Sequence, residues 1–263
     1  LEPLILRFRP RCDGTQHLAA FSLELDPPPA GLTEWRDAEG NDAALAWFNG
    51  MLDSLTVTAE AKVETLRHDP FDFLLIDPGI VTLPVRYDDA LEWVLAPCRL
   101  NGAAANVSKL GEEIREASGG KTIEFLGALT ARLNKMCEVV VRETGDPLAP
   151  EKTLAEKQGS CRDLTVLFNA VCRSVGLASR FVSGYQAGDR KQEKRYLHAW
   201  SEVYLPGAGW RGYDPTLGLA VADEHVAVAA SYAPAFAGPL VGTFRGTGVE
   251  SFMAVDLEIE TKP

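Results

Sequence analysis

Three residues of this sequence have the types, order and surroundings for covalent chemistry: Cys161, His198 and Asp214. Cys161 lies in KQGSCRDLTVLF, residues 157 to 168, ahead of Leu164, Leu167, Phe168, Val171, Cys172 and Val175. That i, i+3, i+4, i+7 recurrence predicts a helix with one buried face. Ser160 and Asp163 form an S-x-x-D capping box, which makes Ser160 the N-cap and Cys161 the first helical residue. The thiol then faces the unpaired amides of the first turn, which favour a thiolate, the nucleophilic form. A thiolate attacking an amide needs a base that can also protonate the leaving amine, and a partner that fixes the base's tautomer. Of the four histidines, His198 alternates with Leu197, Ala199 and Ser201 in a predicted strand, sharing one face with Trp200, Glu202 and Tyr204. Asp214 ends the run Gly209 to Tyr213 and precedes Pro215, which puts a carboxylate at the end of the next strand. A helix start packed on two adjacent strands would bring the three side chains together on rigid backbone.

The elements that must position them follow from periodicity. Residues 1–85 read as β-rich, with an opening strand expected to be cut short at its start. Leu55, Val57, Ala59, Ala61 and Val63 alternate with Thr56, Thr58, Glu60, Lys62 and Glu64, and turns fall at 27–29, 40–41 and 77–79, which suggests a small sandwich. From about residue 86 helices are predicted near 88–96, 108–117 and 121–142. The Cys161 helix follows, then strands over 180–185, 196–205, 210–214 and near 249–259. The fold class is α+β, with 86–263 as a second domain.

Composition bounds the partners. With 263 residues, 46% of them hydrophobic, the chain can bury a full core. A net charge of −11 argues against nucleic-acid and anionic-membrane surfaces. No targeting leader or membrane span is expected, so the reading is a cytoplasmic protein. The five cysteines make no C-x-x-C pair or regular framework, so neither a zinc knuckle nor a disulfide scaffold is expected. Cys137 and Cys172 fall within helical apolar stripes as inert core thiols.

The strings GSCRDLTVLFNAVCRSVGLASRFVSGYQ, LHAWSEVYLPGAGWRGYDPTLG and HVAVAASYAPAFAGPLVGTFRG, in that order, resemble successive motifs of the bacterial transglutaminase-like superfamily, whose members include proposed cysteine proteases. The β-rich start, with LRFRPRCDGTQHL and DAEGN, is similar to that family's N-terminal domain. The resemblance is most specific over about 150 to 250 and runs nearly the full length. It implies a papain-like core of helices and antiparallel sheet, a nucleophile at Cys161 in GSCRD, a base at His198 in LHAW and an orienting acid at Asp214 in YDPT. It requires no metal or other cofactor.

The tetrahedral oxyanion should be met by the Cys161 backbone N–H and a second donor, for which Gln158, Trp93 and Tyr87 all stand open. Trp200, Tyr213 and Gln158 are substrate-cleft candidates, although aromatic strand residues more often pack in cores. His17, His68 and His225 carry no matching context and read as structural. Arg162 reads as an exposed first-turn residue. Arg190, Lys191, Lys194 and Arg195 read as a solvated hairpin loop rather than a basic flap. The expected activity is a thiol hydrolase, a peptidase or amidase, acting on a peptide or protein amide through a thioester. Acyl transfer from a glutamine side chain to an amine uses the same triad, and a non-catalytic scaffold is the third reading.

Overall fold

Alternating side chains build the first layer of the molecule, whose computed structural model describes residues 1–188, 195–246 and 252–261. Strand β1 (Leu4–Leu6) buries both its leucines. β2 (Gln16–Asp26), β3 (Gly31–Arg36), β4 (Asp42–Trp47) and β5 (Thr56–Thr65) follow. β4 pairs antiparallel with both β1 and β3, while β2 and β5 pair from Gln16↔Thr65 to Asp26↔Thr56 as a separate two-stranded sheet. Leu4, Leu6, Ala44 and Ala46 of the first sheet pack against Leu23, Leu25 and Val57 of the second. The expected small sandwich is therefore two facing sheets with an apolar seam.

Asp77 and Asp88, each accepting a backbone N–H two or three residues on, cap the short helices α1 (Pro78–Val81) and α2 (Asp89–Leu95). α3 (Ala105–Ala117) buries Val107, Leu110 and Ile114, and α4 (Thr122–Met136) buries Phe125, Leu126, Leu129 and Leu133, both at helical spacing. The predicted helix over 121–142 stops at Met136. Cys137 is extended, and β6 (Glu138–Val139) leaves the helix to pair with a later segment. α5 (Pro150–Glu156) ends at Lys157, a left-handed residue with φ 52°. β7 (Gln158–Gly159) is the parallel partner of β6 and leads directly into α6 (Cys161–Ser174).

α6 is the central helix. Leu164, Leu167, Phe168, Val171 and Cys172 are all fully buried, and each large apolar side chain withdrawn from water contributes about 1.5–3 kcal/mol. Their partners come from α3, α4 and a five-stranded antiparallel sheet made of β8 (Ser179–Gln186), β9 (His198–Leu205), β10 (Gly209–Asp214), β11 (Leu219–Ala220) and β12 (His225–Ser231). The strand order is β11-β10-β9-β8-β12. Ile80, Leu83 and Val85, which precede or sit at the expected domain division near residue 85, belong to this helix–sheet core.

Strand β12 forms one edge of that sheet, and the N-terminal region covers it. The Gln16 side chain accepts from Ala227 N (2.8 Å) and donates to Ala227 O (2.8 Å). The Asn41 side chain does the same with Ala230, at 2.8 and 2.9 Å. Two side-chain amides thus satisfy an edge that would otherwise offer free backbone groups to another strand. The chain also returns in the other direction, as β13 (Leu240–Val241) pairs with β1 through Ile5↔Val241. The strand predicted near 249–259 does not form over its described part, residues 252–259. Phe252, Met253 and Val255 are exposed there, so the apolar alternation meets no sheet edge to pair with.

Candidate active site

The start of α6 is fixed by one buried carboxylate. Asp163 Oδ2 accepts from the Ser160 backbone N–H at 2.8 Å and the Ser160 hydroxyl at 2.7 Å. Its Oδ1 accepts from Leu148 N at 2.7 Å and Arg142 Nη2 at 2.6 Å. Burial opposes ionisation of this carboxyl, but those donors outweigh burial and hold it below the usual carboxylate range. Gly159 permits the close approach, since a Cβ there would stand 2.9 Å from Asp163 Cβ. Arg162, expected to be an exposed first-turn residue, instead reaches back to the carbonyls of Arg142 at 2.7 Å and Glu143 at 3.2 Å. Asp163 and Arg162 together tie the 142–148 loop to the helix start. Cys161 therefore sits on anchored backbone, half-buried, and packs against the cluster of Phe181 and Ala199.

His198 opens β9 and Asp214 closes β10, the adjacent strand. The register Tyr213↔Ser201 places Asp214 across from Trp200 and on the face that carries His198. The His198 Nε2–H donates to Asp214 Oδ2 at 2.6 Å, which leaves Nδ1 as the ring nitrogen available to sulfur. Besides Asp214, Cys161 is the side chain that acts on this imidazole, which places the thiol within interaction range of the ring. Burial alone would lower the His198 pKa, but the Asp214 hydrogen bond and then the Cys161 contact outweigh it, and the pKa is raised to about 10. Asp214 is fully buried, and its Oδ1 accepts from Thr216 N at 2.8 Å and Leu217 N at 3.1 Å. Burial again acts against the charge, and the two histidines bonded to Oδ2 hold the carboxyl far below its usual range. Of the three residues singled out by type and order, His198 and Asp214 are hydrogen-bonded, and Cys161 acts on the same imidazole from the start of α6.

The second of those histidines is His225, read from the sequence as structural. Its Nε2–H donates to the same Asp214 Oδ2 at 3.0 Å. The chain reaches this position by crossing the end of the sheet: eleven residues after Asp214 it has passed through β11 and a turn to begin β12 at the far edge. The rings of Trp200 and His225 meet edge-on, 5.1 Å between centroids, and Trp200 stacks on His198 at 6.2 Å. Gly184 leaves room for that indole, because a Cβ would fall 2.7 Å from Trp200 and 2.2 Å from Val226 O. The ligand-capable atoms of His198, Asp214 and His225 lie within 4.8 Å of one another, the one such group among the described residues that could hold a metal ion. Both imidazole nitrogens that face the carboxylate already donate hydrogen bonds to it.

The cleft and oxyanion candidates fall in different places. Trp200 and Tyr213 are 1% and 2% exposed, so both are interior packing residues and neither fronts an open cleft. Tyr87 is also committed elsewhere. Its hydroxyl donates to Tyr204 O at 3.1 Å and accepts from Ala178 N at 2.9 Å, which spends its polar capacity away from the sulfur. Trp93 stands exposed on α2. Gln158 is exposed three residues before Cys161 and donates weakly to Glu138 at 3.4 Å. Arg190, Lys191 and Lys194 of the basic stretch lie outside the described residues. Among the other thiols, Cys98 is pushed up to about 11 by burial, Cys137 and Cys172 are raised by the same cause, and Cys12 is exposed.

Comparison with known proteins agrees with this architecture. Residues 108–215, which contain Cys161, His198 and Asp214, match the Transglutaminase-like superfamily, and residues 1–64 match the Bacterial transglutaminase-like N-terminal region. An uncharacterized protein of Mycobacterium leprae is 26% identical over 212 residues, 78% of this chain and 71% of that protein. A protein-glutamine gamma-glutamyltransferase of Pseudomonas aeruginosa is 34% identical over 71 residues, 24% of this chain and 11% of that protein. Among solved structures, a "Putative Cysteine Protease" from Cytophaga hutchinsonii superposes with a TM-score of 0.68 at 21% identity, covering 92% of this chain and 80% of that one, which shows the shared fold. The chain thus carries a transglutaminase-like superfamily core over residues 108–215, preceded over residues 1–64 by a bacterial transglutaminase-like N-terminal region.

Proposed function

We propose that the chain is a thiol-dependent hydrolase of amide bonds in peptides or proteins, with Cys161 as nucleophile, His198 as acid and base, and Asp214 as the group that orients His198. The observation that carries this reading is the His198 Nε2 bond to the buried Asp214 at 2.6 Å, on a ring whose pKa Cys161 at the start of α6 also helps to raise. With the His198 pKa raised, the sulfur's proton rests on Nδ1 before attack, and the sulfur then attacks the carbonyl carbon. The resulting oxyanion accepts from the Cys161 backbone N–H, a first-turn donor with no intrahelical partner. The imidazolium then protonates the leaving amine, the C–N bond breaks, and a thioester remains. Water, deprotonated by His198, attacks that thioester and releases the acid and the thiol. Cys161 is half-exposed, so water can reach the thioester.

One comparison favours a second reading. The glutamyltransferase from Pseudomonas aeruginosa suggests acyl transfer, in which a glutamine carboxamide loses ammonia to form the same thioester and a primary amine, not water, resolves it. A glutamine-containing peptide incubated with and without a labelled primary amine separates the two. Hydrolysis predicts ammonia release that the amine leaves unchanged and no label in the product, whereas stoichiometric labelling would replace hydrolysis with transfer.

Replacement of the base, His198→Ala, should lower kcat by about 10⁴-fold, and Asp214→Asn by on the order of 10²-fold, because the asparagine keeps a polar partner near the ring but not its charge. The pH profile carries the sign. The folded His198 pKa, about 10, lies above the ordinary imidazole value, so the extra proton and the stability it brings are fully present below about 6.5 and are lost as pH rises through 10. The alkaline limb of kcat/KM should therefore lie near that upper value in the wild type and fall toward the ordinary imidazole range in Asp214→Asn. An alkaline limb unmoved by Asp214→Asn would remove Asp214 from the orienting role.

A further inference from the structure

We infer that His225 is a positioning residue for this site, a second imidazole that fixes the Asp214 carboxylate so that its Oδ2 stays aimed at His198. The inference rests on the triad reading above and adds a fourth group to it, one that lies beyond residue 215, where the superfamily match ends. Geometry is the basis. Asp214 Oδ1 is held by the amides of Thr216 and Leu217, and Oδ2 receives two donors, His198 at 2.6 Å and His225 at 3.0 Å. An ionised carboxylate only accepts, so the nitrogen facing it carries the proton and His225 is the Nε2–H tautomer. Its other nitrogen, Nδ1, is buried with no hydrogen-bond partner. A buried imidazole that leaves one nitrogen unpaired gives up a hydrogen bond for the sake of the one it makes. The ring is also locked from the side. It lies edge-on to Trp200, and it opens β12, whose outer edge is held by Gln16 and Asn41 from the N-terminal region. Removing the His225 donor would leave Oδ2 a single partner and let the carboxylate swing about its Cβ–Cγ bond, away from His198. The N-terminal region acquires a role here too, since its two amides hold the strand that presents His225.

The test separates the donor from the ring. His225→Phe keeps a flat ring against Trp200 and removes the donor. His225→Gln places an amide N–H near the position of Nε2. The titratable groups acting on His198 are Asp214 from β10 and Cys161 from α6, with the His225 ring of β12 at 5.9 Å between centroids, so the His198 titration, followed by NMR without substrate, reads the effect directly. His225→Phe should move that titration to lower pH and reduce kcat about tenfold at nearly constant KM, and His225→Gln should recover most of both. In the unmodified chain, nitrogen-15 shifts should show His225 protonated at Nε2 and bare at Nδ1, a readout that survives if the phenylalanine variant fails to fold. An unmoved His198 titration in His225→Phe, a glutamine variant as impaired as the phenylalanine one, or a proton on Nδ1 would each overturn the role. Absence of amide turnover in the unmodified chain would count against the proposed reaction alone, because the titration and the tautomer are measured without it.

Discussion

Cys161→Ala is expected to lower amide turnover by on the order of 10⁴-fold or more while leaving the fold intact. The loss should be large because no other thiol can substitute: Cys98, Cys137 and Cys172 are buried, and Cys12 belongs to the exposed N-terminal loop. The structural cost should be small because the substitution removes one half-exposed sulfur at a helix start whose position is set by other groups. Ser160 and Asp163 make the capping box, and Leu148 and Arg142 complete the carboxylate's bonds. The change in stability should stay within about 1 kcal/mol. Circular dichroism and thermal unfolding beside an activity assay measure both halves. If the alanine variant unfolds, the thiol serves packing and the nucleophile assignment fails.

Glu202→Ala should give the largest loss of stability. Glu202 lies on β9, the strand that opens with His198, and its carboxylate receives Arg180 Nε at 2.8 Å and Arg11 Nη1 at 3.4 Å. Arg11 comes from the N-terminal region, so this pair joins the two parts of the chain. Arg180 in turn lies over the Trp210 ring at 4.0 Å. Burial works against the Glu202 charge, but Arg180 and Arg11 outweigh it and hold the carboxyl at about 2. Removing the carboxylate leaves the buried Arg180 guanidinium without its ion-pair partner and the half-buried Arg11 with Asp13 alone, a loss of about 3–5 kcal/mol. For a chain of this size that corresponds to a fall in Tm of roughly 10 °C. The pH dependence follows from the depressed pKa. Stability from Glu202 is present above the unfolded value, about 4.5, and is lost as pH falls through about 2. Over that window Glu202→Gln should flatten the acid slope by up to about 1.4 kcal/mol per pH unit. It should not abolish the slope, since Asp163 and Asp214 are shifted in the same direction. Denaturant unfolding at stepped acid pH measures the difference, and a slope equal to that of the wild type would show that Glu202 is not held ionised by its arginines.

The positions of the three candidate residues could be read in advance because each sits where local pattern and position coincide. The apolar stripe from Leu164 to Val175 and the Ser160–Asp163 box locate Cys161 at a helix start. Period-two alternation locates His198 on a strand, and Pro215 marks the end of the next one. The short turn between β9 and β10 makes those strands neighbours, so adjacency in sequence becomes adjacency in space. His225 escaped that logic. Its partner is reached because the chain crosses from β11 at one edge of the sheet to β12 at the other, and no period within 225–231 encodes the crossing. HVAVAASY at the head of a quoted motif was the available signal. Trp200 and Tyr213 misled for the opposite reason, since a strand aromatic beside a catalytic residue looks the same in sequence whether its face is open or enclosed. Return of residues 240–241 to pair with β1 is likewise non-local. The apolar alternation past residue 252 shows that such a pattern makes a strand only where an edge receives it.

The activation of Cys161 by His198 is the claim on which the account stands, and site-resolved alkylation by iodoacetamide at pH 7, read by mass spectrometry of the intact fold, tests it most directly. Exposed Cys12 serves as the internal reference for an unassisted thiol. Cys161, though less exposed, should react at least about tenfold faster than Cys12. Cys98, Cys137 and Cys172 should stay unmodified, and His198→Ala should remove the excess. A Cys161 that labels no faster than Cys12, or whose rate His198→Ala leaves unchanged, would contradict the account.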